Sequence, residues 1–352
     1  MAQFESLLGR PLGRVVCLCH QVELPYRALF QSVDGKTTGP TTFSGPIGKS
    51  IAEDVHRLKI ADCPVIQCSD FPEIPPATAS SLSSDLKLLY RSAKAVVSGN
   101  VEGLAGLRHG KLCMARWYTA QSRLLRLYMS QAEPSPDLTT LARYIVCVYV
   151  PVVMAIKQRP DVVDAPAHIC DTLRRQHQHL EGDSLDVVVK NTKRNTYMAH
   201  PENVLLAMLG DQNHEVRAQG VDHIRNIRAN TASTTNNNTS RPVCSFRTPA
   251  VNTAAARYTE LVDVKELVDD GMDIEPPSTK AMSDLEIDNF LLEPLTTGVP
   301  SHTQSTERAV KATTEAVAAI SGQDRQDGLS QQNSVPAQAW WPGYEEAVSG
   351  EQ

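Results

Sequence analysis

The stretch 141–158, LARYIVCVYVPVVMAIKQ, most limits how this chain can fold. So much contiguous apolar surface must leave water, and the run is too long for an ordinary strand. It predicts a buried helix over Asp137–Gln158, capped by Asp137 and kinked by Pro151. The run falls short of the roughly 20 apolar residues that span a bilayer, so no membrane partner is expected. A helix apolar on every side needs amphipathic neighbours to wrap it.

The chain supplies them. Asp85–Val101 carries Leu86, Leu89, Tyr90, Ala93 and Val97 at helical spacing and stops at Gly99-Asn100. Ala165–Leu180 reads as a further helix. Its His177 and His179 are two apart, too far round a helix to share a metal, so no zinc is expected there. Pro201 opens a short helix with the face Val204, Leu205, Met208 and Leu209. Gly210-Asp211 breaks it, and Val216, Val221, Ile224 and Ile227 mark a second, making a paired helical unit whose second member carries Arg217, Arg225 and Arg228.

Elsewhere the pattern changes. Val15–Cys19 is a short apolar run after glycine and reads as a strand, followed by a helix with Leu24, Leu29 and Phe30 and with Pro25 near its start. Asp34–Ser84 is dense in Gly, Pro, Thr and Ser and reads as turns and linker. Gly48-Lys49-Ser50 is not a phosphate loop, because Phe43 stands where the first glycine of that pattern is required. Ala229–Ser240 is polar and low in complexity, so disorder is expected. Pro300–Ile320 predicts a capped helix with Ser301 and Gln304 as a capping box, a stripe of Val310, Thr313, Val317 and Ile320, and Glu307 at its edge.

Charge divides the chain. Residues 1–230 carry 26 Lys and Arg against 22 Asp and Glu, whereas 231–352 carry 8 against 18. The acidic part should stay off nucleic acid. The most basic segment, Arg108–Gln131, interleaves Arg108, Lys111, Arg116, Arg123 and Arg126 with Trp117 and Tyr118, a mixture that suits a phosphate backbone. The preferred reading of this segment is a solvated helix face; the alternative partners are DNA through 108–126 and a second copy of the chain by self-association. Eight cysteines spread over 352 residues fit free thiols in a reducing compartment, and Cys17, Cys19, His20, Cys63 and Cys68 are expected to hold no structural zinc. With no secretory leader visible in MAQFESLLGRPLGRVV, an intracellular location, nucleus or cytoplasm, is expected.

Three stretches carry a resemblance. VVCLCHQVELPYRALF is similar to the C-x-x-H strand–helix of hAT-like transposases, here on Cys17 and His20. ARWYTAQSRLLRLY resembles the segment that opens their helical insertion. PSHTQSTERAV resembles their C-terminal S-x-x-ER segment, here on Glu307 and Arg308. Most of residues 7–330 also resembles a group of uncharacterised transposon-derived proteins that share DGKTTGPTTFSGPIGK, HPENVLLAML and PSHTQSTERAVK-like segments. The resemblance implies an RNase H-like core in which Glu307 and His20 are remnant catalytic positions, brought together across 287 positions. Two upstream aspartates of that pattern are missing from this sequence, and a lone Glu307 cannot hold the two divalent metals of phosphoryl transfer. No metal or other cofactor is therefore expected.

These readings combine into a mainly α fold, a truncated RNase H-like strand–helix remnant with a large helical insertion and disordered linkers. The remnant is 1–34, the Gly/Pro/Ser-rich linker 35–84, the helical insertion 85–230, a disordered then acidic helical segment 231–295, the core helix with Glu307 296–322, and a polar tail 323–352. The expected function is that of a transposase-derived protein without strand-transfer activity of its own. The rivals are a helical module that binds nucleic acid or protein, and a nonfunctional fragment whose Met1 is internal to a longer reading frame.

Overall fold

The computed structural model describes residues 17–39, 42–60, 64–104, 106–112, 117–233, 249–264, 279 and 282–296, which belong to one unit. Glu307, Arg116, Cys63 and the whole 300–320 segment lie outside the described residues.

The fold is mainly helical. Its centre is the predicted apolar run, formed as α6 (Pro136–Tyr144), a π-helical turn (Ile145–Tyr149) and α7 (Val150–Gln158). Ser135, not Asp137, caps α6, its side chain accepting from the Leu138 amide at 3.2 Å; Asp137 sits in the first turn, where its charge suits the helix dipole. By length and composition the continuous 23-residue helix Pro136–Gln158 could cross a membrane, contrary to the expectation from the shorter run. Here it is covered by protein: every residue from Tyr144 to Met154 is buried. The break in α-helical pattern has a cause. Pro151 has no N–H for the carbonyl four residues earlier, that of Cys147. Arg175 supplies the missing donor, its Nη1 lying 3.1 Å from that oxygen.

Around this centre stand α4 (Ser84–Ser98), α5 (Tyr118–Met129), α8 (Ala165–His179) and α9 (Gly182–Arg194). The α4 helix buries Leu86, Leu89, Tyr90 and Ala93 and ends at Gly99 with φ 71°, as its spacing predicts. The predicted helix pair is also present, as α10 (Pro201–Leu209) and α11 (His214–Ser233). The α11 helix runs into the stretch read as disordered, so Ala229–Ser233 is helical; residues 234–248 lie outside the described residues.

The N-terminal expectation fails. Leu18 and Cys19 are not in a strand but open α1 (Leu18–Asp34), a helix of 17 residues. Leu18, Val22, Tyr26, Leu29 and Phe30 form one buried face, so the apolar run continues a helical period rather than a strand. Pro25 is interior, not at the start. The α1 helix packs chiefly on α9, and also on α6 and α7. The only strands among the described residues are the antiparallel β1 (Thr37–Gly39) and β2 (Thr42–Phe43), a short ribbon and not an RNase H sheet.

The segment read as linker proves to be structure. Asp34, the last residue of α1, turns its carboxylate onto the start of α2 (Pro46–Ala52). Oδ1 accepts from the Ile47 amide at 2.8 Å and Oδ2 from Gly48 at 2.6 Å. The glycines of DGKTTGPTTFSGPIGK follow from this closeness. A Cβ on Gly45 would lie 1.7 Å from the Asp34 carbonyl oxygen, and one on Gly48 2.4 Å from the Phe43 side chain. The amides that a phosphate would need are thus held by the chain's own carboxylate. Ile47, Ile51, Ile66, Cys68 and Leu82 from 35–84 all join the core, and Val55 is buried as well.

Candidate functional site

The predicted DNA-binding residues are mostly turned inward. Arg108 and Lys111 are exposed. Trp117 is buried among Tyr26, Phe30 and Phe43, with ring centroids 5.6, 5.5 and 6.3 Å away. Arg126 is 7% exposed, and its Nε and Nη2 both donate to the Leu58 carbonyl, at 3.1 and 2.6 Å. Arg123 donates to the carbonyls of Ile51, Glu53 and Gly110 at 2.9, 3.1 and 2.9 Å. A guanidinium can satisfy several carbonyls in a fixed fork, and here it ties the irregular stretch 51–58 to α5. The expectation that Trp117, Arg123 and Arg126 meet phosphates is corrected accordingly: their hydrogen-bonding edges and ring face the protein.

The arginines of α11 behave alike. Arg217 donates to the carbonyls of Phe290, Asp211 and Gln212. Arg225 pairs with Asp288, and Arg228 with Asp284 at 2.8 Å. Apart from the Asp211 and Gln212 carbonyls, these partners come from the acidic segment around α12 (Asp284–Asn289), which begins in a capping box of Ser283 and Glu286. The second helix of the pair therefore reads the chain's own acidic segment.

His20 lies on α1 with its side chain half exposed, its Nδ1 3.9 Å from Oε1 of the buried Glu23. Its relation to Glu307 falls outside the described residues. His168, on α8, bonds the Arg159 carbonyl at 2.9 Å, and burial lowers it to about 4, the behaviour of a neutral core histidine. Among the described residues no three His, Cys, Asp or Glu side chains converge as a metal site.

Among the described residues, a surface open to a ligand lies on α9. Its inner face is fixed by Val188 and Thr192; the Thr192 hydroxyl accepts from Gln176 Nε2 at 2.9 Å. Burying those two positions turns Asp186, Lys190, Lys193 and Arg194 to solvent. The two last-turn cations sit where the helix dipole favours them. Pro249, Ala250 and Val251 form the facing wall of a cleft of about 640 Å³. That wall is anchored from behind: the Asn252 amide bonds the Leu261 carbonyl at 2.8 Å, and Val251 is buried. No family model, no curated protein and no solved structure matches this chain. The chemistry of the cleft thus stands on its own geometry.

The lining offers three cations, one carboxylate and an apolar wall. Such a mixture suits an anionic group with apolar neighbours, and supplies binding more readily than bond-breaking. The sequence reading passed over these residues. Lys190, Lys193 and Arg194 recur at i, i+3 and i+4, which places them on one helix face; the missing signal was Pro249–Val251, which only the fold brings opposite.

Proposed function

We propose that this chain is a non-catalytic, transposase-derived binding module whose α9 cleft takes the acidic, leucine-bearing segment 282–295 of a second copy. The descent rests on the motif resemblance at Cys17, His20, 34–49 and 200–209. The binding reading rests on one observation, the match between two exposed surfaces. Leu285 and Leu292 are 73% and 79% exposed, large apolar side chains left in water beside the exposed Glu286 and Glu293. The cleft presents Lys190, Lys193 and Arg194 beside Val189, Pro249 and Ala250. Apolar and charged features are complementary, and complementary charge selects partner and register. Cleft and segment are different patches, so the contact is head-to-tail and its ends stay open unless a ring closes.

Mixing tests this. K190E/K193E/R194E removes the cleft and L285D/L292D removes the segment, both at exposed positions. The parent chain should associate with rising concentration in analytical ultracentrifugation, each variant alone should be monomeric, and an equal mixture should stop at dimers. A parent that stays monomeric at high concentration, or a variant that associates as the parent does, overturns the reading. Loss of a DNA complex, rather than of self-association, in the cleft variant would assign the cleft to nucleic acid instead.

A further inference from the structure

The strap 64–74 has no regular structure, yet it is firmly held. Its Pro64 and Pro72 carbonyls accept from Tyr128 and Tyr90, each at 2.9 Å, and its Ile66 amide bonds the Val96 carbonyl at 3.3 Å. It passes directly over the π turn. Cys68 Sγ lies 3.9 Å from the Val146 carbonyl, and Cys147 Sγ lies 3.6 Å from the Gln67 carbonyl. These crossed contacts set residues 67–68 against 146–147, and Cys68 Sγ also lies 3.7 Å from Asp70 Oδ1. Beside them Arg175 bridges the strap and the core: it pairs with Asp70 at 2.9 Å and donates to the Cys147 carbonyl.

We propose that Cys68 and Cys147 are a peroxide-reactive dithiol that closes to a disulfide between the strap and the π turn. This inference is independent of the α9 cleft. Cys68 is the attacking sulfur. It is 5% exposed and sits in the strap between the exposed Gln67 and Ser69, one residue from solvent on either side. The Cys147 thiol and the Arg175 guanidinium both favour its thiolate, although burial and Asp70 oppose them. Cys147 is fully buried, and the neighbouring Cys68, followed by burial, pushes its thiol up, so it reacts second.

The steps balance. The Cys68 thiolate attacks one peroxide oxygen; an S–O bond forms, the O–O bond breaks, and hydroxide leaves, taking up the proton lost from Cys68 as water. The Cys147 sulfur then attacks the sulfenic sulfur. An S–S bond forms, the S–O bond breaks, and the second water departs with the Cys147 proton. Two thiols have lost two electrons to one hydrogen peroxide.

The test uses the full reduced chain and hydrogen peroxide near stoichiometry, followed by alkylation and mass mapping without reductant. The expected result is coordinate loss of the Cys68 and Cys147 thiols, a linked peptide pair lighter by two hydrogens, and a Tm higher by several degrees in the oxidised chain. In Cys147→Ser, dimedone should trap a sulfenic acid on Cys68; in Cys68→Ser, no adduct should form on Cys147. Pairing of Cys68 with any other cysteine, or oxidation elsewhere while Cys68 and Cys147 still alkylate, overturns the proposal. So does an unchanged rate of peroxide consumption in Cys68→Ser.

Discussion

Two helices of this protein carry basic residues at similar spacing and use them in opposite ways. On α5, Arg123 and Arg126 lie three apart and point inward, onto carbonyls of a stretch with little regular structure. On α9, Lys190 and Lys193 lie three apart and point outward, into an open cleft. The difference comes from what packs nearby. Residues 51–58 leave carbonyls that no helix or sheet satisfies, and a buried carbonyl without a donor is costly. Arginine, with five donors in a planar fork, meets that need; lysine, a hydrated point charge, stays in solvent. Clustered cations in a sequence therefore mark either a ligand surface or an irregular backbone that needs donors.

The sharpest way to break this contrast is Arg126→Glu. It removes both donors to the Leu58 carbonyl and brings a carboxylate against that oxygen, in a site only 7% exposed. Loss of about 3–5 kcal/mol is expected in urea unfolding, enough to leave little folded protein. If Arg126→Glu unfolds at the parent's midpoint, the inward role is wrong.

A smaller effect comes through His109, which lies beside this group. Its ring is 5.7 Å from that of His56, and its Nδ1 is 3.1 Å from the Ser122 hydroxyl. Ser122 gives its proton to the Thr119 carbonyl at 3.0 Å, so His109 must donate. Burial, and then the charges of His56, Arg123 and Arg126, lower His109 from its usual value of about 6.5 to about 4. The unfolded chain thus takes up a proton that the folded chain refuses. Stability should be full above pH 6.5 and fall by about 3 kcal/mol as pH drops from 6.5 to 4. His168 adds a similar slope, so His109→Gln should flatten the profile in part, and an unchanged slope would remove His109 from the account. The α9 side should show the smallest effect. K190E/K193E/R194E should cost only about 1 kcal/mol, mostly from acids at the wrong end of a helix dipole. A loss as large as that of Arg126→Glu would erase the contrast between the two helices.

What could be read beforehand follows a physical line. The face of α4 and the α10–α11 pair were legible because burial repeats at a helical period, and the 141–158 run because its apolar length exceeds that of a strand. Val15–Cys19 was not, since five apolar residues fit a strand or one flank of a helix equally well; only the continuing face through Val22, Tyr26 and Leu29 decides. The direction of Arg123 and Arg126 was illegible for another reason. The carbonyls they serve lie about seventy positions away, and no local pattern announces a carbonyl left without a donor. The same holds for the cleft, whose second wall arrives from Pro249–Val251. The glycines of 34–49 were legible as turns, but their closeness to Asp34 and Phe43 needed the fold.

The π turn at Ile145–Tyr149 also sets the rotational phase of the molecule's centre. A turn of this kind holds one residue more than an α-helical turn, and each residue advances a helix by about 100°. Everything after Tyr149 is thereby rotated relative to Pro136–Tyr144, which lets α6 and α7 present different faces to α1 and α8. Removing one residue there would restore an unbroken α-helical ladder and misalign Val150, Val153 and Ile156 with their neighbours by about that angle. A loop would absorb a one-residue change in length, but this turn keeps the two halves of the core in phase and cannot.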